Sequence, residues 1–242
     1  MNIHLLIDYY KNPRPERAAE IDFCITENIT SEEFDMVHVF GEDPLPIEII
    51  PSKVKYNTIS ERLTYKYYIE YANKNIPEGD IVILSNADMF FDESILKVKE
   101  IDLSDKVLAL TRFCPHHGHW VGEKGELIPY ANQHRSQDVW VWKNKVDLRK
   151  IDFNFHIGTL GCDNKVAYQF HSLGYQVWNP SYSIVCYHKH EERNDYEDHP
   201  HMYDSKTQAP LKWHPRPYLL PFGCRIEDII DHTYSNFIQI EK

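Results

Sequence analysis

Cysteine is scarce, and its pattern excludes two kinds of site. The five cysteines are an odd number, lie far apart, and form no C-x-x-C pair. A disulfide framework or a zinc knuckle needs paired cysteines at short spacings, so the thiols are expected to stay reduced. We therefore expect a cytoplasmic protein with neither a zinc knuckle nor a cysteine nucleophile.

Long apolar runs and excess positive charge are also missing. No run approaches the ~20 residues that span a bilayer, and the N-terminus lacks a basic leader, so neither a transmembrane segment nor a signal peptide is expected. Lys and Arg number 26 against 37 Asp and Glu, a net charge of −11. This balance argues against nucleic acid as a partner. A polyanionic ligand must then be met by a local site or a metal ion.

Short apolar runs alternate with helical patterns. Strands are predicted at 3–7, 36–40, 81–84, 107–110, 139–142, 175–178 and 183–187, and helices at 16–29, 60–75 and 164–173. Such alternation favours an α/β fold with a mostly parallel sheet. The composition shifts after 190, so we predict one domain over 1–196 and an irregular tail over 197–242 packed on it, with a short helix near 226–230.

The first polar cluster directly follows the apolar strand 81–84. It reads Ser85-Asn86-Ala87-Asp88. Ligands of open α/β sheets bind beyond the carboxyl ends of strands, where Asp88 could reach a divalent cation. The alternative is a strand-end turn in which Asn86 and Asp88 bond the backbone.

A second cluster opens the helix at 164–173. Asp163 follows Gly161 and Cys162 there. A carboxylate in a glycine-lined loop can act as a general base toward a hydroxyl nucleophile. Asp is also among the commonest N-cap residues of helices, and a capping role is the structural alternative for Asp163.

The third cluster follows the last strand-like run. His188 and His190 lie two residues apart, so an extended segment presents both on one side, as a metal site requires. Arg193 follows, and its forked guanidinium suits phosphate oxygens. The alternative is a solvated, histidine-rich surface loop.

In this order, the motifs resemble those of nucleotide-sugar-dependent glycosyltransferases with the GT-A fold, most closely the family 2-like inverting enzymes. The resemblance runs over about residues 1–196. It rests on Asp8-Tyr9-Tyr10 after the first strand, Asn86-Ala-Asp88, Ser136-Gln-Asp138, Gly161-Cys-Asp163, a Gly-Tyr-x-Val-x-Asn-Pro entry at 174–180, and the terminal His-x-His. It implies a GT-A-like, Rossmann-like mixed sheet that is mostly parallel and flanked by helices.

The resemblance also implies roles. Asn86-Ala-Asp88 resembles the family's D-x-D motif, with Asn86 in place of the first Asp, and Asp163 stands at the position of the catalytic base, with Cys162 replacing an acidic neighbour. The implied metal ligands for Mn²⁺ or Mg²⁺ are Asp88, His188 and His190. The implied nucleotide and donor contacts are Asp8, Tyr9, Tyr10, Arg62, Tyr65, Asn86, Arg112 and Arg193. Gln137 and Asp138 would contact a sugar, whereas Trp140 and Trp142 are expected mainly as core aromatics.

The implied reaction is transfer of a sugar, with inversion, from a nucleoside-diphosphate sugar, UDP-linked by the family's habit, to a hydroxyl of a glycan or another acceptor. Two alternatives stay open. One is a metal-dependent hydrolase or phosphoesterase built on the histidine-rich segment 188–201, although an H-E-x-x-H pattern is missing. The other is a non-catalytic module that binds a nucleotide sugar or a glycan.

Overall fold

The computed structural model describes residues 1–48, 50–113, 134, 136–189 and 216–242. The strands are β1 Ile3–Tyr9, β2 Met36–Gly41, β3 Val54–Thr58, β4 Ile81–Ser85, β5 Met89–Phe91, β6 Lys106–Leu110, β7 Val139–Lys143, β8 Gln176–Trp178, β9 Cys186–His188, β10 Tyr218–Pro221 and β11 Ile238–Glu241. The helices are α1 Pro15–Thr30, α2 Tyr65–Asn75, α3 Cys162–Ser172 and α4 Ile226–Asp231, with 3₁₀ helices at Glu93–Glu100, Leu148–Lys150 and Tyr234–Phe237.

A seven-stranded sheet organises the molecule, in the order β3-β2-β1-β4-β7-β6-β8. Every neighbouring pair is parallel except those of β7, which runs antiparallel to both β4 and β6. The predicted α/β fold class, with a mixed and mostly parallel sheet flanked by helices, is thereby confirmed. Two small antiparallel pairs, β5 with β9 and β10 with β11, lie outside it.

Alternation along the strands divides the core into two layers. Ile3, Leu5 and Ile7 of β1 pack with the apolar face of α1, whereas Leu6 packs with α2 and α3 on the other side of the sheet. Side chains two residues apart share a face of a strand. Trp140 and Trp142 therefore lie together in the α2–α3 layer, both buried, as expected of core aromatics.

Several elements differ from the predictions. The helix predicted from residue 60 begins at Tyr65, because Thr64, rather than Ser60, is the N-cap, and its hydroxyl accepts from the Tyr67 amide. The run predicted as a strand at 183–187 yields only β9, which pairs with β5 rather than with the main sheet. β3 and β5 were missed, because β3 is only half-buried and β5 has three residues. β10 and β11 were missed as well: these four-residue strands pair with each other in the tail that was predicted to be irregular apart from its short helix.

The described end of the chain, residues 216–242, packs against the sheet and α3. Leu219 is fully buried, Gly223 bridges to Asn179 beside β8, and α4 is the predicted short helix. The described cysteines, Cys24, Cys162, Cys186 and Cys224, are buried and form no disulfide bond with one another. Among the residues with described positions, no helix has the length and apolar character to cross a membrane.

Candidate active site

Polar side chains gather at one edge of the main sheet. The carboxyl ends of β1, β4 and β6 meet there, and β7 begins there because it runs antiparallel to its neighbours. Asp8 lies near the end of β1, and Asn86 follows β4. Arg112 follows β6, and Asp138 precedes β7. This is the edge where open α/β sheets bind ligands.

Asp138 is held by a side chain from each neighbouring strand. Arg112 Nη1 donates to both of its carboxylate oxygens, at 3.0 and 2.8 Å, and Asn86 Nδ2 donates to Oδ1 at 2.9 Å. Asp138 is only 5% exposed, so Arg112 compensates a largely desolvated charge. Asn86 Oδ1 is buried with no hydrogen-bond partner among the described residues, which leaves one acceptor to meet a ligand.

Asp163 lies inside the first turn of α3. The N-cap is Gly161, whose φ of 74° is left-handed, so the interpretation of Asp163 as the N-cap is wrong. Its carboxylate instead accepts from Cys162 Sγ at 3.1 Å and from the backbone N–H of Gln137. Burial and the neighbouring Asp138 carboxylate raise the pKa of Asp163 to about 7. A carboxylate poised near neutrality is suited to accept a proton.

Two of the predicted contacts support this cluster from within the protein. Gln137 is fully buried, and its Oε1 accepts from Asn164 Nδ2 at 3.1 Å, so its side chain braces α3 instead of facing a sugar. Tyr65 is buried with its hydroxyl 3.7 Å from Cys162 Sγ and its ring edge-on to Trp140. Tyr65 thus underlies Asp163 and is closed to a nucleotide.

A second charged cluster centres on Asp88. Pairing of β5 with β9 aligns Met89 with His188, which brings His188 Nε2 to 2.9 Å from Asp88 Oδ2. Arg17, from the first turn of α1, donates to the same oxygen. Burial opposes ionisation of Asp88, but the charges and hydrogen bonds of His188 and Arg17 hold its pKa well below the usual value.

Arg17 is a site residue that the sequence reasoning missed. It contacts Asp88 across 71 positions of sequence, so no local motif joins the two. The available signal was its place just after Pro15, in the first turn of the helix that follows β1. A side chain there is directed toward the carboxyl edge of the sheet.

Asp88 and His188 fit a divalent cation. Two ligand atoms at right angles on one small cation, each about 2.1 Å away, lie about 3 Å apart. The 2.9 Å between His188 Nε2 and Asp88 Oδ2 matches that spacing as well as a hydrogen bond. Within the described ranges, no group of three or more His, Cys, Asp or Glu side chains forms a complete metal cluster. The rest of the shell would come from ligand oxygens, water, or residues outside the described ranges such as the predicted His190.

Asp8 and Arg62 form the third part of the edge. Burial raises the pKa of Asp8 to about 6, while a hydrogen bond from the Tyr68 hydroxyl and the charge of Arg62 oppose the rise. Arg62 also donates to the Ile157 carbonyl, which ties the start of α2 to the loop before α3. Tyr10 interacts electrostatically with Asp8 and with Asp88, so it lies between the two clusters.

The remaining predicted residues stand apart from these clusters. Alternation along β1 turns Tyr9 to the α1 face, where it is 1% exposed and donates to Asp22 Oδ1 at 2.8 Å. Tyr9 therefore does not face the ligand edge, which corrects its expected nucleotide contact. His190 and Arg193 lie outside the described residues.

Comparison with known proteins gives structural similarities only. A scan of protein-family models and a sequence comparison with curated proteins both return no match. Among solved structures, the chain is similar to a mannosyltransferase, PcManGT from Pyrobaculum calidifontis, in complex with GDP-Man and Mn²⁺, at 14% identity and a TM-score of 0.48. The match covers 80% of this chain and 58% of that one.

Two further structures illustrate the range of similar folds. S. aureus TarS 1-349 in complex with UDP-GlcNAc matches at 11% identity and a TM-score of 0.44, over 82% of this chain and 61% of that one. An inositol-1-phosphate CTP transferase from T. maritima matches at 12% identity and a TM-score of 0.45, over 78% of this chain and 89% of that one. The chain thus spans less than two thirds of the mannosyltransferase and of TarS 1-349. At these scores the likeness carries no functional argument, so the function is argued from the site.

Proposed function

We propose that the chain is a glycosyltransferase that uses a nucleoside-diphosphate sugar. One observation carries the proposal: the edge of the sheet holds a carboxylate with a raised pKa, Asp163, and a separate pair, Asp88 with His188, whose spacing suits a cation. The segment Asn86-Ala-Asp88 joins them, because Asn86 bonds Asp138 beside Asp163. Transfer of a sugar needs both parts, a base for the acceptor and positive charge for the leaving group.

The Asp88 cluster is assigned to the donor diphosphate. Asp88 and His188 would hold Mn²⁺ or Mg²⁺, and a bound cation neutralises the charge that develops on a nucleoside diphosphate as it leaves. Arg17 lies in the same cluster and is able to bond phosphate oxygens. Asn86 lies two residues before Asp88, and its buried Oδ1 accepts no hydrogen bond from the described residues. It is suited to a ribose or sugar hydroxyl.

The Asp163 cluster is assigned to the acceptor. Asp163 would take the proton of the acceptor hydroxyl as its oxygen attacks the anomeric carbon from the face opposite the diphosphate, which gives inversion. The Cys162 thiol and the backbone N–H of Gln137 orient the carboxylate of Asp163. Arg112 holds the Asp138 carboxylate in place, and the charge of Asp138 raises the pKa of Asp163.

The remaining predicted contacts complete the proposal. Asp8, Tyr10 and Arg62 stand where β1 and α2 reach the edge, and we assign them to the nucleoside. His190 and Arg193 stay predicted as a metal ligand and a phosphate contact. A UDP-linked donor, a glycan acceptor in polysaccharide biosynthesis, and a cytoplasmic location, favoured by the buried free thiols, are the finer parts of the proposal.

A binding panel followed by a turnover assay tests this assignment. Thermal unfolding is measured with UDP, GDP, CDP and ADP, each with and without Mn²⁺, because a ligand bound only by the folded state raises the midpoint. We expect one diphosphate to raise it when Mn²⁺ is present and Asp88→Asn to abolish that rise. The matching nucleotide sugar should then release free diphosphate slowly by hydrolysis. Binding without any turnover would favour the non-catalytic module, and release of pyrophosphate from a nucleoside triphosphate would favour a nucleotidyltransferase.

A further inference from the structure

Arg17 occupies the oxygen that a cation would need. Asp88 Oδ2 accepts from Arg17 Nη2 and lies 2.9 Å from His188 Nε2. The side chains of Asp88 and Arg17 are 12% and 14% exposed, so this ion pair is largely shielded from water. A cation placed on Asp88 Oδ2 beside the guanidinium would meet a like charge at contact distance, in a place where screening is weak.

A second carboxylate holds Arg17 in reach of the site. Arg17 Nη1 donates to Glu20 Oε2 at 2.9 Å, one turn along α1, and to the Lys189 carbonyl at 3.4 Å. Glu20 is only 4% exposed in its side chain and keeps its charge next to Arg17 when Asp88 is taken by another cation. Among the described residues, the cluster therefore holds the carboxylates of Asp88 and Glu20 around Arg17 and His188, so a carboxylate stays beside Arg17 when another cation takes Asp88.

From this geometry we propose that Arg17 and a divalent cation exclude each other on Asp88, and that the donor diphosphate resolves the competition. In the ligand-free protein Arg17 neutralises Asp88. When the diphosphate arrives with its cation, the cation takes Asp88 Oδ2, and the guanidinium turns to the phosphate oxygens, whose bidentate geometry it matches. The inference rests on the proposed diphosphate site. It adds that the cation binds weakly to the protein alone and strongly when the diphosphate binds with it.

The test is a titration of the whole protein with MnCl₂, followed by electron paramagnetic resonance, without nucleotide and then with saturating UDP or GDP. We expect Arg17→Gln to bind Mn²⁺ alone about tenfold or more tightly than wild type, since a hydrogen-bonded charge pair no longer has to be broken. Saturating diphosphate should tighten Mn²⁺ binding far less in the variant than in wild type. Arg149→Gln, which removes a surface ion pair within one turn, should match wild type in both titrations.

Loss of Arg17 leaves two buried carboxylates together, so the double variant Arg17→Gln/Glu20→Gln is measured beside it. It removes one of those charges while freeing Asp88, and it should also bind Mn²⁺ more tightly than Glu20→Gln alone. Unchanged Mn²⁺ affinity in a folded Arg17→Gln protein would overturn the proposal, as would equal gains from the diphosphate in both proteins. The titration reads binding without turnover. If Arg17→Gln tightens Mn²⁺ binding and no nucleotide sugar is turned over, the exchange stands and the proposed function fails.

Discussion

Burial, together with one charged neighbour, makes Asp163 harder to ionise than an ordinary carboxylate. Burial alone raises the pKa of a carboxylate, and Asp138 adds a second negative charge nearby, while Arg112 limits the effect by pairing with Asp138. With its pKa raised to about 7, the carboxylate that we propose as the base changes its ionisation near neutral pH. Turnover should therefore rise with pH through this region, because only the ionised carboxylate accepts a proton.

Replacing that neighbour tests the electrostatic origin of the rise. Asp138→Asn removes the negative charge and frees the charge of Arg112, and both changes lower the pKa of Asp163. The acid limb of the kcat profile, measured on donor turnover, should move to lower pH by about one unit. Asp105→Asn, at the opposite end of β6, should leave the limb where it is. A limb that stays near pH 7 in Asp138→Asn would show that Asp138 does not tune the base.

The sequence could place Asp88 and Asp163 at the ends of elements, because Asp88 comes soon after a strand and Asp163 lies at the start of a helix, and such positions are visible locally. It could not predict Arg17 or the burial of Gln137, because both depend on contacts between distant segments. The orientation of Tyr9 could not be predicted from the sequence either. The face of β1 to which it points depends on which helix covers each side of the sheet.

Among the elements, α2 depends on a cap that the sequence pattern placed four residues too early. Ser60 and Thr64 are both acceptable N-cap residues, and only the chain path decides between them. The path is decided at Thr64, which bridges to His156, while the Tyr65 amide donates to the Phe155 carbonyl. These tertiary bonds fix the first turn of α2 beside the loop that leads to α3.

Thr64→Ala should therefore lower the free energy of unfolding by about 1 kcal/mol, because the Tyr67 amide loses its side-chain acceptor. Ser60→Ala is the matched control and should change it by less than about 0.5 kcal/mol. Urea unfolding at neutral pH measures both. Equal losses in the two variants, or a larger loss in Ser60→Ala, would contradict the observed start of the helix.

Strand boundaries were predicted more accurately than strand partners. The apolar runs of β1, β2, β4, β6 and β7 were each located to within two residues, because burial on both faces leaves a continuous hydrophobic signal. Pairing involves residues far apart in the chain, so the role of β7 as the antiparallel strand and the β5–β9 pair were not visible. The β5–β9 pair is the one that brings His188 to Asp88.

Across the whole molecule, the edge opposite the candidate site carries a buried hydrogen-bonded chain. His4 Nε2 lies 3.3 Å from Asp80 Oδ2, His4 Nδ1 lies 3.1 Å from His38 Nε2, and His38 Nδ1 lies 2.9 Å from the Tyr71 hydroxyl. With both histidines neutral, every contact has one donor and one acceptor: His4 donates to Asp80, His38 to His4, and Tyr71 to His38. Burial, His4 and Lys55 lower the pKa of His38 to about 4.

This lowered pKa predicts acid sensitivity. The unfolded chain binds a proton at His38 near pH 6.5, and the folded chain only near pH 4, so the free energy of unfolding falls as the pH drops between these values. His38→Gln should lose about 2 kcal/mol less than wild type between pH 7 and 4.5, measured by urea unfolding. Other groups, such as Asp8, titrate in both proteins and cancel in the difference. Parallel losses in the two proteins would mean that His38 contributes nothing to the pH dependence.

The proposed function depends on a division of labour between two clusters at one edge of the sheet. Asp88 with His188 and Arg17 is assigned to the donor, and Asp163 to the acceptor. If the assignment holds, replacing Asp163 should leave binding of the nucleoside diphosphate intact and stop turnover. Replacing Asp88 should abolish both binding and turnover.

The most direct measurement compares Asp163→Asn with wild type for Mn²⁺-dependent binding of the nucleoside diphosphate and for turnover of the matching nucleotide sugar. We expect the variant to bind the diphosphate with unchanged affinity and to lose turnover by about 10²–10⁴-fold, the usual contribution of a general base. Full turnover by Asp163→Asn, with binding intact, would contradict the account.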